Sequence, residues 1–135
     1  MDEYGFVREL DISFESAVDM VQEHLHQAGF GVLTTVDIKE TFAQQLGIEF
    51  QKYIVLGACD PAIAHKAILA QQCMGLMLLC TVIIYECHDR VVVEALRPTV
   101  AMQMIDDLDV KRIARDIERR LKEVFDAIQP VGTAP

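Results

Sequence analysis

The stretch that decides the fold reads Leu56-Gly57-Ala58-Cys59-Asp60-Pro61-Ala62-Ile63-Ala64-His65. Its first half belongs to a short apolar run from Tyr53 to Cys59, as expected of a strand that is covered on both faces. Asp60 can accept hydrogen bonds from the free N–H groups of a helix's first turn, and Pro61 suits the first helical position. The stretch therefore predicts a buried strand that ends at Cys59 and turns directly into a helix.

Cys59 is the first candidate for chemistry, because it lies at the positive end of that helix. The field of a helix N-terminus favours a thiolate and can lower a cysteine pKa by roughly one to several units. The carboxylate of Asp60 acts in the opposite direction, so the sequence leaves the net shift open. The competing interpretation, which we prefer, is a small buried cysteine that closes a strand.

Composition indicates one folded domain over residues 1–135, with an ordered core of about 4–128. The hydrophobic fraction of 52% and the charged fraction of 24% are typical of a globular protein. A net charge of −9 would repel phosphate backbones and anionic lipid, so we expect neither nucleic-acid nor membrane partners. Met1 is followed by two acidic residues instead of a secretory leader, and the cysteines lack a framework spacing; both predict a cytoplasmic protein.

One uncharged stretch, residues 67–85, approaches the length of a membrane span. Gln71 and Gln72 interrupt it, and its second half is rich in β-branched residues. We therefore interpret it as the end of a helix that fades near Gly75, followed by a buried strand from Leu78 to Cys87.

Periodicity predicts the element order β-α-β-α-β-α-β-β-α, in which the helix after the second strand is short. The remaining expected strands span residues 4–10, 31–36, 53–59 and 90–96, and the first two helices begin after Ser13 and Asp37. A long amphipathic helix begins near Leu108, capped by one of the aspartates at 106, 107 and 109. Its basic side chains alternate with acidic ones, which indicates an ion-paired, solvated face and not a nucleic-acid groove.

The four cysteines do not predict a metal site. The spacings of Cys59, Cys73, Cys80 and Cys87 match no zinc pattern. Cys59 and Cys80 lie near the ends of neighbouring core strands, so they could meet across the sheet as a redox or ligand-gripping thiol pair. Two separate buried cysteines are the alternative. His65 lies more than one helical turn beyond Cys59, so direct pairing with that thiol would need a bend.

Two cysteine-bearing stretches carry a family resemblance. Residues 56–61 are followed by an alanine-rich helix and then by residues 75–82, Gly-Leu-Met-Leu-Leu-Cys-Thr-Val. With Ser13-Phe14 and residues 29–34, they resemble the bacterial and archaeal family known as domain of unknown function 302. The usual pattern of that family is a Cys-Asn-Pro turn, an Ala-Leu helix and a Gly-Leu-Leu-Leu-Pro-Cys strand entry. The resemblance covers about residues 4–128.

The resemblance implies a TATA-binding-protein-like α+β domain, in which an antiparallel sheet is backed by helices, and which is often dimeric. It implies no settled activity, and the fold carries no DNA-binding function with it. Asp60 replaces the usual asparagine and Leu79 the usual proline. Both departures weaken any activity inferred from the family motif, although aspartate still caps and leucine still packs.

Two hypotheses follow. The one we favour is a cytoplasmic homodimeric module for ligand binding or interaction, because strands such as residues 82–84 and 91–93 are apolar on both faces. Its ligand would be a small apolar or thiol compound. The other is thiol-based redox or sulfur transfer by Cys59 with Cys80. Whether the protein is an enzyme stays open, and we expect no cofactor and no metal. The candidate ligand-binding residues are Cys59, Asp60, Pro61, His65 and Cys80.

Overall fold

The computed structural model describes residues 4–77 and 79–128. Its five strands are β1 (Gly5–Leu10), β2 (Gly31–Asp37), β3 (Tyr53–Cys59), β4 (Cys80–Cys87) and β5 (Arg90–Leu96). Its helices are α1 (Phe14–Gln27), α2 (Ile38–Leu46), α3 (Pro61–Ala70), α4 (Pro98–Ala101) and α5 (Leu108–Ala127), with a 3₁₀ helix at Gln72–Met77. The predicted fold class is confirmed: an antiparallel sheet is backed by helices, and a long helix closes the chain.

The strands form one sheet in the order β1-β5-β4-β3-β2, and every neighbouring pair is antiparallel. β4 and β5 are consecutive and form a hairpin. In the pairing of β3 with β4, Ala58 lies opposite Cys80. Cys59, the last residue of β3, is therefore next in the chain to the residue that pairs with Cys80, the first residue of β4.

One face of the sheet packs against α1 and α5. Inward side chains of β3, β4 and β5, such as Leu56, Ile84 and Val93, are fully buried there. α5 contributes the apolar stripe expected from its sequence, and Leu121 at its centre is inaccessible to solvent. Phe14 begins the corresponding buried stripe of α1. The main core therefore lies between the inner face of the sheet and the two amphipathic helices α1 and α5.

The opposite face of the sheet, called the outer face below, carries the alternate residues of the same strands. Because side chains alternate along a strand, the register places the following residues, among others, on it: Val7, Glu9, Tyr53, Val55, Gly57, Thr81, Ile83, Tyr85, Val92, Glu94 and Leu96. Most of these positions are uncharged. No helix within residues 4–77 and 79–128 is long and apolar enough to cross a membrane.

Three expectations about elements need correction. α3 ends at Ala70, where Gln71 adopts an extended backbone, and a separate 3₁₀ helix carries the chain past Gly75. β4 begins at Cys80; its predicted start at Leu78 lies outside the described residues. The short α4 was not expected. Its first position is Pro98, where the missing N–H of proline has no cost.

Candidate functional site

The junction between β3 and α3 has the predicted geometry. Oδ1 of Asp60 accepts hydrogen bonds from the backbone N–H groups of Ala62 at 2.9 Å and Ile63 at 3.2 Å. Pro61 occupies the first turn of the helix. The side-chain cap and the fixed proline φ thus start α3 immediately after Cys59, which is 4% exposed.

A small, partly open cavity lies beside this junction. Its volume is about 20 Å³, and it is formed where α3, the 3₁₀ helix and α4 meet the end of the sheet and α5. Cys59, Asp60 and Cys80 all line it. The two thiols are close enough for the charge of one to affect the pKa of the other. The structure therefore brings together three of the five candidate residues.

The other two candidate residues lie elsewhere. Pro61 and His65 are exposed on α3, and neither lines the cavity. Cys73 and Cys87 are also exposed, whereas Cys80 is half-buried. In the described part of the chain, no group of three or more histidine, cysteine, aspartate or glutamate side chains is arranged to hold a metal ion.

Arg120 forms an ion pair with Asp60. Nη1 of Arg120 lies 2.8 Å from Oδ2 of Asp60, and their side chains are 17% and 16% exposed. Burial alone would raise the pKa of Asp60, but hydrogen bonds from Arg120 and the helix N–H groups outweigh it, so the pKa of Asp60 is lowered. Asp60 is therefore a paired anion and a helix cap at once.

The same guanidinium joins three segments. Nε and Nη2 of Arg120 donate to the carbonyl oxygen of Ala28 at 3.2 and 2.6 Å. The guanidinium carbon lies 5.1 Å from the centre of the Phe30 ring. Gly29, with a φ of 92°, leaves room for it, since a Cβ there would overlap Nη2 of Arg120. Arg120 thus connects α5, the end of α1 and the Asp60 junction.

The sequence assigned Arg120 to a solvated, ion-paired helix face. Arg120 is ion-paired, but the expected solvation is wrong, because its side chain is largely buried. A local signal existed: Arg120 lies three residues after Ile117 and four before Val124, at the margin of the buried stripe. Its neighbour Arg119 does follow the expectation, because it is exposed and pairs with Asp116 and Glu123.

Neither cavity thiol is poised as a thiolate. Burial, with a further contribution from the Asp60 carboxylate, raises the pKa of Cys59. Burial, together with the proximity of Cys59, raises the pKa of Cys80 to about 11. At Cys59 the first cause is burial and the second is the Asp60 carboxylate, so the pKa of Cys59 moves in the direction opposite to the one that a helix N-terminus favours.

These features define a small α+β domain with an uncovered sheet face and a thiol-lined cavity at one end of its sheet. The family model for the domain of unknown function DUF302 matches residues 6–128, so the chain belongs to that family. A crystal structure from Bacillus stearothermophilus, described as an uncharacterized conserved protein of the same family, is similar with a TM-score of 0.83. The two chains are 26% identical, over 92% of this chain and 97% of that one. Among curated proteins, none matches.

Proposed function

We propose that the protein is an interaction module that forms a homodimer through the outer face of its sheet. The observation that carries the proposal is α2, a nine-residue helix without a buried side chain. Isolated helices shorter than about 12–15 residues are only marginally stable in water. Asp37 and Gly47 cap both ends of α2, but caps alone do not replace a packing surface.

Apolar side chains continue from α2 onto the outer face. Leu46 is 63% exposed at the end of α2, and Ile48 and Phe50 follow it in the exposed connection to β3. From Phe50, aromatic contacts continue across the sheet: its ring lies 6.3 Å from that of Tyr53, which stacks on Tyr85 at 5.2 Å. This half of the outer face projects apolar side chains.

The other half of the outer face forms an open groove of about 300 Å³, lined by Tyr4, Thr81, Ile83 and Leu96 among others. Glu94 borders the groove and accepts a hydrogen bond from the Tyr85 hydroxyl. This hydrogen bond, after burial, raises the pKa of Tyr85, so the hydroxyl stays protonated as the donor. The groove is therefore apolar at its centre, with its one carboxylate already engaged.

A second copy of the chain fits this surface best. One end of the outer face projects Leu46 and its neighbours, and the other end offers a groove for apolar side chains. In a two-fold arrangement, the projecting end of each protomer faces the groove of the other, so both are filled at once. A cationic partner would instead be expected to meet carboxylates, and the central positions of this face are mostly uncharged.

The dimer is tested by sedimentation equilibrium at micromolar concentration. We expect a mass near twice 15.2 kDa for the protein and near 15.2 kDa for the Leu46→Glu and Leu96→Glu variants, because each variant would bury an unpaired carboxylate. Leu69→Glu is the matched control, since Leu69 is 72% exposed on α3, away from the outer face, and should leave the dimer intact. A wild-type mass of 15.2 kDa would refute the proposal.

Binding of an organic ligand at the cysteine junction has less support. The cavity of about 20 Å³ that Cys59, Asp60 and Cys80 line has space for roughly one water molecule. A small apolar or thiol compound would have to use the open grooves instead. We also propose a cytoplasmic location, because a reducing compartment suits the four free cysteines, two of them exposed.

The second candidate function is thiol-based redox or sulfur transfer by Cys59 with Cys80. It is favoured by one observation, the shared cavity, and opposed by the raised pKa of both thiols. We expect the pH at half-maximal alkylation rate of Cys59 in the folded protein to lie above 8.5, the value of a free cysteine. Mass spectrometry of the alkylated protein measures it, with Cys59→Ser as the control. A midpoint below 7 would favour the thiol function over our expectation.

A further inference from the structure

The lining of the small cavity beside Cys59 is rich in sulfur. Five of its twelve lining residues are cysteine or methionine: Cys59, Cys80, Met74, Met77 and Met102. The whole chain of 135 residues contains ten such residues. Half of the sulfur-containing side chains of the protein therefore meet around one small space, and they come from β3, β4, the 3₁₀ helix and the segment after α4.

Water is a poor occupant of this space. A buried water needs two to four polar partners. Asp60 is the one charged lining residue, and its oxygens already bind Arg120 and two helix N–H groups. Apart from Asp60, the lining side chains are apolar or contain sulfur. The chemistry of the cavity therefore suits an occupant that binds to sulfur.

We propose that this cavity binds one Cu(I) ion, held by the sulfur atoms of Cys59 and Cys80 and surrounded by the three methionine thioethers. Thiolate and thioether ligands are soft and suit soft ions such as Cu(I). Two cysteines without a histidine fall short of the four cysteine or histidine ligands of a structural zinc site. Histidine and carboxylate clusters, which suit harder divalent ions, are not found in the described residues. The site thus differs in kind from the four-cysteine zinc centre that the spacings disfavour.

Binding at this site balances without a redox step. Two Cu–S bonds form, and the two thiols release their protons to solvent while copper stays in the Cu(I) state. The product, one Cu(I) with two thiolates, carries one net negative charge. Arg120 lies close enough to Cys80 to oppose part of this charge, but its guanidinium is already paired with Asp60, and burial keeps the pKa of Cys80 raised in the metal-free protein.

A route into the cavity is present. An open groove of about 260 Å³ lies on the other side of Met77, Cys80 and Met102, and these three residues line both the groove and the cavity. Met77 is half-buried, so its flexible side chain separates the two spaces. Sulfur-containing side chains therefore line both the surface groove and the cavity. Such a path suits the transfer of a soft ion from one sulfur atom to the next.

The test is an anaerobic titration of the reduced full-length protein with Cu(I) buffered by bathocuproinedisulfonate. We expect one equivalent of Cu(I) per chain and the release of two protons at pH 7. Affinity should rise with pH, because the thiols are protonated in the metal-free protein. Cys59→Ser and Cys80→Ser should each weaken binding by about 100-fold or more, since loss even of an outer-shell partner costs 10- to 100-fold.

Cys73→Ser and Cys87→Ser are the matched controls, because both thiols are exposed and lie outside the cavity; they should bind as tightly as the wild type. X-ray absorption at the copper edge of the wild-type protein needs no variant and should show only sulfur neighbours. Absence of stoichiometric binding, loss of binding in the control variants, or oxygen and nitrogen neighbours at copper would each overturn the proposal. If the methionines only fill the core, Cu(I) should not bind stoichiometrically.

Discussion

Replacing Arg120 with methionine is expected to lower the free energy of unfolding by about 3 kcal/mol, because breaking a buried ion pair leaves an uncompensated charge. The variant leaves Asp60 without its partner in a site where its side chain is 16% exposed. It also removes both donors to the carbonyl oxygen of Ala28. Urea unfolding at pH 7 and at one fixed protein concentration measures the loss.

The loss should depend on pH in a defined direction. The pKa of Asp60 is lowered in the folded protein, so its pairing adds stability above the unfolded-state value of about 3.9. That contribution disappears as the pH falls through the folded-state pKa. The difference between wild type and Arg120→Met should therefore be largest at neutral pH and shrink below about pH 4.

Arg119→Met is the matched control, since Arg119 is the adjacent residue on α5, 63% exposed, with ion pairs to solvent-accessible carboxylates. Exposed pairs contribute about 0–1 kcal/mol, so this variant should lie close to the wild type. If the two variants lose the same free energy of unfolding, the buried Arg120–Asp60 pair stabilises the protein no more than an exposed pair does.

Replacing Phe125 with alanine is expected to cost about 3–5 kcal/mol, the usual range for a buried phenylalanine. Phe125 is 1% exposed, and its ring lies 5.5 Å from the ring of Phe6 and 5.9 Å from the guanidinium of Arg8. The variant opens a cavity where α5 meets β1. A shift of the urea midpoint with an unchanged slope would identify a loss of stability in the folded state.

The Phe125→Leu variant distinguishes the stability lost through the cavity from the stability lost with the aromatic contacts. Leucine keeps most of the apolar contact, so this variant should lose about 1–2 kcal/mol, well below the alanine variant. If alanine and leucine cost the same, the aromatic contacts with Phe6 and Arg8 would outweigh the cavity term. A cost below 1 kcal/mol for alanine would contradict the packing described for this end of α5.

Local signals account for the parts of the fold that could be predicted. Asp60-Pro61 specifies a helix start through a side-chain acceptor and a fixed φ, both properties of adjacent residues. The stripe of α5 repeats every three or four residues, and each of its members from Val110 to Ile128 is buried or half-buried. Gly29 and Gly47, just after α1 and α2, both adopt positive φ, as glycines that end helices commonly do.

The parts that were missed depend on contacts distant in sequence. The hydrogen bonds of Arg120 reach Ala28 and Asp60, which no local periodicity connects to α5. The sulfur-lined cavity combines residues from four segments, and the methionines among them read locally as ordinary core positions. The end of α3 at Ala70 lacked a glycine or proline signal, because the next glycine is Gly75 in the 3₁₀ helix.

The sheet order also governs how the chain can fold as it is synthesised. β1 ends at Leu10, but the one strand that pairs with it in the described part of the chain is β5, which begins at Arg90. At roughly 5–20 residues per second, about 4–16 s of synthesis separate the two strands. During this interval the apolar stripe of α1 lacks both β5 and α5, so the nascent N-terminal segment is a natural client for chaperones until the last third of the chain emerges.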